Sequence, residues 1–192
     1  MVLPIYVYGE AILRQPTLPV EALTPDVEAL VRSMIDTMHG ADGVGLAAPQ
    51  VGRRERIFVA DVTPFAERGT LEGDVPPQPM TFINPEIVWE SDEETDFEEG
   101  CLSIPDLRET VWRPERVRLR YHDEAFAPRE LEIGGMLARV IQHEVDHLDG
   151  VLFVDHLSPF RRRMLQRRLR NMARGDVSAE YPIHAAEGAQ GP

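Results

Sequence analysis

Residues 142–147 read Gln-His-Glu-Val-Asp-His, inside a stretch whose apolar residues recur at helical spacing. Two histidines four positions apart share one face of a helix and can grip one metal ion. Here they are His143 and His147. Glu144, beside the first, is placed to move protons for a water on that metal. A pattern of three fixed residues also arises on ordinary surface helices, so the rest of the chain must decide between the two. The carrying helix is expected from Met136 to Asp149, with Met136, Leu137, Val140, Ile141, Val145 and Leu148 on its buried side. Gly134-Gly135 suits a tight entry, and Gly150 closes the helix.

An earlier helix is expected from about Pro25 to His39. Thr24 suits the N-cap and Pro25 the first turn, while Val27, Leu30, Val31, Met34, Ile35 and Met38 form one apolar stripe that Gly40 ends. Strands are expected from Arg56 to Val62 and from Thr81 to Val88. Arg116 to Tyr121 alternates cleanly and is expected to pair with Glu130 to Ile133 as a hairpin. Pro64 to Pro79, with four prolines, reads as a loop. Glu90 to Glu99 carries seven carboxylates in ten residues. It reads as a solvated loop or strand edge, because the spacing of a calcium loop is absent. A third helix is expected from about Pro159 to Arg174, capped by Ser158 and stopped by Gly175. Residues 1–175 read as one domain, and the apolar-poor residues 176–192 as a loose tail.

Composition narrows the function. No apolar run reaches the roughly 18 residues that a membrane span needs, and the N-terminus lacks the charged start of a signal peptide, so a cytoplasmic protein is expected. A net charge of −13 argues against stable DNA binding. All 20 basic residues are arginine, which excludes Schiff-base chemistry on lysine. The one cysteine, Cys101, cannot form an intramolecular disulfide. Such a residue is most often a small buried hydrophobe, and here it is also weighed as a nucleophile or ligand.

A catalytic metal needs a third protein ligand besides the two histidines, and an open position. Downstream choices are poor. Gly150 and Phe153 stand where the long zincin pattern has a glycine and a third histidine, His156 has no supporting spacing, and Glu180 lies in the expected tail. That leaves Cys101, within Glu99-Gly100-Cys101-Leu102-Ser103. A thiolate is a strong ligand for Zn²⁺ and Fe²⁺. A third segment, Gly43-Val44-Gly45-Leu46-Ala47-Ala48-Pro49-Gln50, is small, apolar and ends in an amide. It reads either as a plain loop after a helix or as a backbone wall beside a substrate, with Gln50 donating to a developing oxyanion.

These three segments, of the forms Gly-x-Gly-Leu-Ala-Ala-x-Gln, Glu-Gly-Cys-Leu-Ser and Gln-His-Glu-x-Asp-His, stand in the order and spacing of the peptide deformylase family, which the chain resembles over roughly residues 2–174. The resemblance implies an α+β fold, with mostly antiparallel β-sheets around the helix that carries His-Glu-x-x-His and with a C-terminal helix of the type common in Gram-negative bacteria. It implies one divalent metal held by Cys101, His143 and His147, usually Fe²⁺ in the cell, with Zn²⁺, Ni²⁺ or Co²⁺ in preparations. A metal-bound hydroxide would attack the formyl carbon of an N-formyl-methionyl nascent peptide, with Glu144 as general base and then acid. Gln50 and the Leu102 backbone N–H would hold the oxyanion, and formate would leave. Gly45 would offer backbone bonds to the peptide. Val44, Met136 and Val140 would line a methionine pocket, and Arg108 would meet the substrate backbone. Arg113 would pair with Asp146 and orient the ligand helix. Arg139 departs from the apolar residue common at that position, at the pocket mouth.

The third helix holds Arg161, Arg162, Arg163, Arg167, Arg168, Arg170 and Arg174, with no acid between Asp155 and Asp176. It reads either as a solvated helix whose stripe of Phe160, Met164, Leu165 and Leu169 packs on the core, or as a surface docking near the ribosomal exit tunnel, as the resemblance implies. A monomer is expected. Two other readings compete: a zincin-type peptidase, which lacks its downstream ligand here, and a catalytically silent binding protein, although every catalytic position is filled.

Overall fold

The computed structural model describes residues 1–67 and 76–185. In chain order they form β1 (Ile5–Tyr6), α1 (Pro25–Gly40), β2 (Gly45–Ala47), β3 (Ile57–Ala60), α2 (Thr63–Glu67), β4 (Met80–Glu90) and β5 (Glu94–Cys101). Then follow β6 (Ile104–Pro114), β7 (Arg116–His122), β8 (Pro128–Gly134), α3 (Gly135–Leu148), α4 (Pro159–Met172) and β9 (Ile183–His184). Five strands make one antiparallel sheet in the order β2-β3-β4-β7-β8, and β5 and β6 make a second antiparallel pair. The architecture is α+β with mostly antiparallel sheets and a C-terminal helix, as the sequence led one to expect. The expected hairpin is β7–β8, in register from Arg116↔Gly134 to His122↔Pro128.

The sheet is covered by a helix on each face, and β3 explains why. Its side chains alternate between faces, yet Ile57, Phe58, Val59 and Ala60 are all fully buried. Ile57 and Val59 cluster with Val27, Leu30 and Met34 of α1, whereas Phe58 and Ala60 cluster with Leu137, Ile141 and Leu148 of α3. A strand buried on both faces has no polar alternation to show. The first face of α1 is fixed at its start by Thr24, whose side chain accepts from the Val27 N–H. Gly135, at φ 61°, makes the turn from β8 into α3 that a residue with a Cβ would resist.

The structure decides or corrects several expectations. Pro64 to Pro79 is not all loop, because Thr63–Glu67 form α2; residues 68–75 lie outside the described residues. The segment Gly43–Gln50 is not a plain loop. Gly45–Ala47 pair with β3, and Ala48–Val51 form a 3₁₀ turn. The acidic run supplies the end of β4 and most of β5 and its acids are exposed through Glu98, the solvated strand edge expected, but its last member, Glu99, is buried. On α4, Leu165, Leu169 and Met172 are buried, but Phe160 and Met164 are 75% and 60% exposed. At 100° per residue those two lie about 145° and 105° around the helix from the buried stripe. The expected tail is seen to residue 185, with β9 paired in parallel to β1. Residues 186–192 lie outside the described residues.

Phe82 sits at the middle of the cluster under α3, fully buried, with ring centroids 4.4 Å from Phe58 and 4.7 Å from Tyr121. Phe82→Ala should cost about 3–5 kcal/mol, as a large core truncation with a cavity does. Equilibrium urea unfolding would measure it, and a loss under about 1 kcal/mol would mean that the cluster collapses around the gap.

Candidate active site

Two elements deliver the polar centre. α3 turns its apolar stripe to the sheet, and His143, Glu144 and His147 are buried as well. β5 ends at Cys101, where a register shift against β6 breaks the ladder and the chain turns through Leu102 and Ser103. The ligating atoms of Cys101, His143 and His147 all lie within 4.8 Å of one another. Cys101 Sγ is 3.2 Å from His147 Nε2. His143 Nδ1 bonds Glu99 Oε2 at 2.9 Å, which fixes the tautomer and leaves Nε2 as the ligating atom. One thiolate and two imidazoles suit Zn²⁺ or Fe²⁺, and three ligands leave a position open. The residues present therefore fit a divalent cation. A second observation agrees: Glu144 Oε2 is buried without a hydrogen-bond partner among the described residues, as is His147 Nδ1. A water between the Glu144 carboxyl and a cation would satisfy the first.

The electrostatics follow from burial. Burial pushes the Glu144 carboxyl up to about 7, so it can both take and give a proton near neutrality. Burial, then the charge of His143, pushes His147 well below the usual histidine range. Burial also opposes charge on His143, but its bonds to Cys101 and Glu99 outweigh that and hold it well above the usual range. For Glu99, burial works against ionisation, yet bonds from His143 and Arg113 hold the carboxyl well below the ordinary range.

Behind the ligands lies a charged network of which the sequence announced only the Arg113–Asp146 pair. Glu99 Oε1 accepts from Arg113 Nε at 2.6 Å and from Arg139 Nη1 at 3.1 Å; Oε2 accepts from Arg113 Nη2 at 3.0 Å besides His143. Arg113 also bonds Asp146 at 2.7 Å, the pairing expected, and Asp146 in turn bonds His156 at 2.7 Å. Arg139 lines the cleft, as expected, but as a buried member of the network. It is 7% exposed and donates to the Val111 carbonyl and to Thr95 as well as to Glu99. Glu99 carried no local signal of burial, since residues 92–98 before it are all exposed.

A cleft of about 1020 Å³ opens in front of the polar centre. Val44, Gly45, Gln50, Cys101, Leu102, Arg108, Met136, Val140, His143 and Glu144 all line it, while His147, 1% exposed, does not. Each residue singled out from the sequence thus belongs to the cleft, the ligand group or the network behind it. Gly45 is needed for the close approach: a Cβ there would stand 2.3 Å from Glu144 Oε1. Gln50 is locked by the Ala47 N–H, which donates to its Oε1 at 2.8 Å, so that its Nε2 faces Ser103 Oγ at 3.2 Å and Cys101 Sγ at 3.6 Å. Ser178 to Tyr181, from the expected tail, also line the cleft, which no sequence signal foretold.

The family model described as polypeptide deformylase matches residues 2–163. A peptide deformylase of Salinibacter ruber is 60% identical over 184 residues, covering 95% of this chain and 94% of that protein. Among solved structures, a peptide deformylase from Legionella pneumophila superposes with TM-score 0.79 at 38% identity, covering 92% of this chain and 98% of the other. One from Ehrlichia chaffeensis gives 0.82 at 36% identity, with 92% and 99% covered.

Glu99→Gln would leave one acceptor oxygen where four donors converge. It should lower metal affinity by about 10–100-fold, the usual effect of losing the partner that orients a ligating histidine. Competition with a chromophoric chelator would measure it, and unchanged affinity would show that His143 is oriented without Glu99.

Proposed function

The chain belongs to the peptide deformylase family, hydrolases that remove N-formyl groups from nascent peptides, and from that premise we propose how its own residues carry out the reaction on N-formyl-methionine. The observation that supports this reading best is the meeting of Cys101, His143 and His147 within 4.8 Å, beside Glu144 and Gln50 in one cleft. A divalent cation on those three ligands, Fe²⁺ in the cell and Zn²⁺, Ni²⁺ or Co²⁺ in preparations, would supply a Lewis acid that makes water acidic and polarises a carbonyl. Glu144 takes a proton from the attacking water, whose oxygen adds to the formyl carbon. As the carbonyl oxygen gains charge, the Gln50 amide and the Leu102 backbone N–H donate to it. Glu144 then gives its proton to the departing amine. The carbon–nitrogen bond breaks, and formate and a free N-terminus result.

Binding follows from the same walls. Val44, Met136 and Val140 offer an apolar slot suited to a flexible thioether. Gly45, at the close approach to Glu144, presents its backbone to the peptide, and Arg108 meets the peptide further along the cleft. Arg113 and Asp146 hold α3 in place and touch no substrate.

The surface of α4 supports docking on the ribosome. Arg161 bonds Glu109, Arg162 bonds the carbonyls of Val154 and Asp155, and Arg168 bonds the Asp106 carbonyl, so these three hold the helix to the body. Arg163, Arg167 and Arg170 are exposed and spaced to share the opposite face. On a protein of charge −13, that face is where ribosomal phosphate would be drawn. No helix among the described residues is long and apolar enough to cross a membrane.

Two measurements test these readings. The metal-loaded parent should release formate from a formyl-Met-Ala-Ser peptide, and Glu144→Gln at equal metal content should lose at least about 100-fold of that rate. No release by the loaded parent would sink the assignment. Replacing Arg163, Arg167 and Arg170 by Gln should lower the slope of log ribosome affinity against log salt by about 2–3, with free-peptide deformylation unchanged. An unchanged slope would remove α4 from docking.

A further inference from the structure

After α4 the chain returns to the cleft. Gly175, at φ 81°, turns it, and Val177 packs against the cluster that holds Leu165 and Leu169. Ser178 to Tyr181 then run along the cleft wall. Beyond them β9 is anchored on β1: the Ile5 N–H donates to the Pro182 carbonyl at 2.9 Å and the Val7 N–H to that of His184 at 3.0 Å. The rings of Tyr6 and His184 stack at 4.2 Å. Between these anchors, Tyr181 packs against the α1 cluster along with Leu102 and Ala41, and its hydroxyl donates to the Leu102 carbonyl at 2.8 Å.

Leu102 lies at the centre of the turn that joins β5 to β6, next to Cys101. That turn is held from three sides. Gln50 Nε2 donates to Ser103 Oγ at 3.2 Å, the Tyr8 N–H donates to the Ser103 carbonyl at 2.8 Å, and Tyr181 takes the Leu102 carbonyl. Only Tyr181, of these three, comes from beyond the residues that the family model matches. We propose that Tyr181 is a positioning residue of the active site, whose hydroxyl fixes the Leu102 carbonyl in the Leu102–Ser103 peptide plane and thereby restrains the Leu102 torsions that set its own N–H, in the preceding plane, toward the formyl oxygen. The inference rests on the deformylase reading. A free Leu102–Ser103 peptide plane in a short turn can rock and, through the torsions at Leu102, disturb the preceding plane that carries the Leu102 N–H, and an oxyanion donor works only when held within about 0.5 Å and 10–20° of its productive geometry. Tyr181 lines the same cleft as Leu102, so the split between kcat and KM separates a hold on Leu102 from a direct contact with the peptide. Its loss should cost stabilisation of the transition state rather than binding of the ground state.

Full-length Tyr181→Phe tests this, because it removes one oxygen and keeps the ring in its packing. With both proteins metal-loaded and formyl-Met-Ala-Ser as substrate, kcat should fall about 3–10-fold, the effect of one neutral hydrogen bond. KM should stay within about twofold, with metal content as in the parent and a thermal midpoint lower by no more than the few degrees that one hydrogen bond carries. Amide exchange at Leu102 and Ser103, followed by NMR in the loaded and metal-free proteins, should accelerate. Parental kcat, a fall in rate that only follows a loss of stability, or unchanged exchange at those two amides would each overturn the inference while leaving the deformylase reading intact. An inactive, fully loaded parent would overturn both.

Discussion

The Glu99 carboxylate is the interaction on which the rest of the site depends. It is 5% exposed, and its two oxygens accept four bonds from three side chains, Arg113, Arg139 and His143. Taking an ion out of water costs several kcal/mol, and a buried cluster tolerates that only where every charge has partners. Here the partners of a charge on β5 come from β6 and α3, so the condition for burying the charge is also the condition for docking the ligand helix on the strand that ends in Cys101. Asp146 and His156 extend the same chain of bonds outward, so Arg113 bridges two carboxylates rather than serving one. The pairing expected between Arg113 and Asp146 is real, but it is the outer half of a larger arrangement. Arg139 belongs to the inner half, which explains how a cation occupies a position beside an apolar pocket.

A second constraint acts from the opposite wall. Glu144 is buried because β2 lies directly against it, and Gly45 permits that contact. The same closeness that denies the carboxyl water raises its proton affinity toward neutrality. Ligand geometry and proton affinity are thus set by two different neighbours of α3: the Glu99 strand on one side and the glycine strand on the other. Neither neighbour could shift much without disturbing the other's contact through the helix between them.

What could be read from the chain alone was what is local. His143, Glu144 and His147 were legible because helical spacing fixes their common face. The β7–β8 hairpin was legible because its alternation is clean. Cys101 and Gln50 were reached through the motifs they stand in. The failures share a cause, which is that charge was taken as a sign of solvent. Glu99 was hidden in a run of carboxylates whose other members are exposed, and Arg139, rightly placed at the cleft, was not seen to be buried. In both cases a distant partner of opposite charge decides burial, and no local pattern carries that information. Phe160 and Met164 failed the other way: apolar residues were assigned to a stripe whose centre the packing of Leu165, Leu169 and Met172 sets elsewhere.

The C-terminal segment escaped for a different reason. Its polar composition was correct evidence that it brings no core of its own, yet it needs none. β1 and β9 are two residues each, too short to stand as an isolated ribbon. They persist because the Tyr6–His184 stack, the packing of Tyr181 and its bond to Leu102 hold the strand pair against a body already folded. The two ends of the described chain are therefore stabilised by the active-site turn as much as they stabilise it. A segment whose order is borrowed from the site is one whose loss the site would register first.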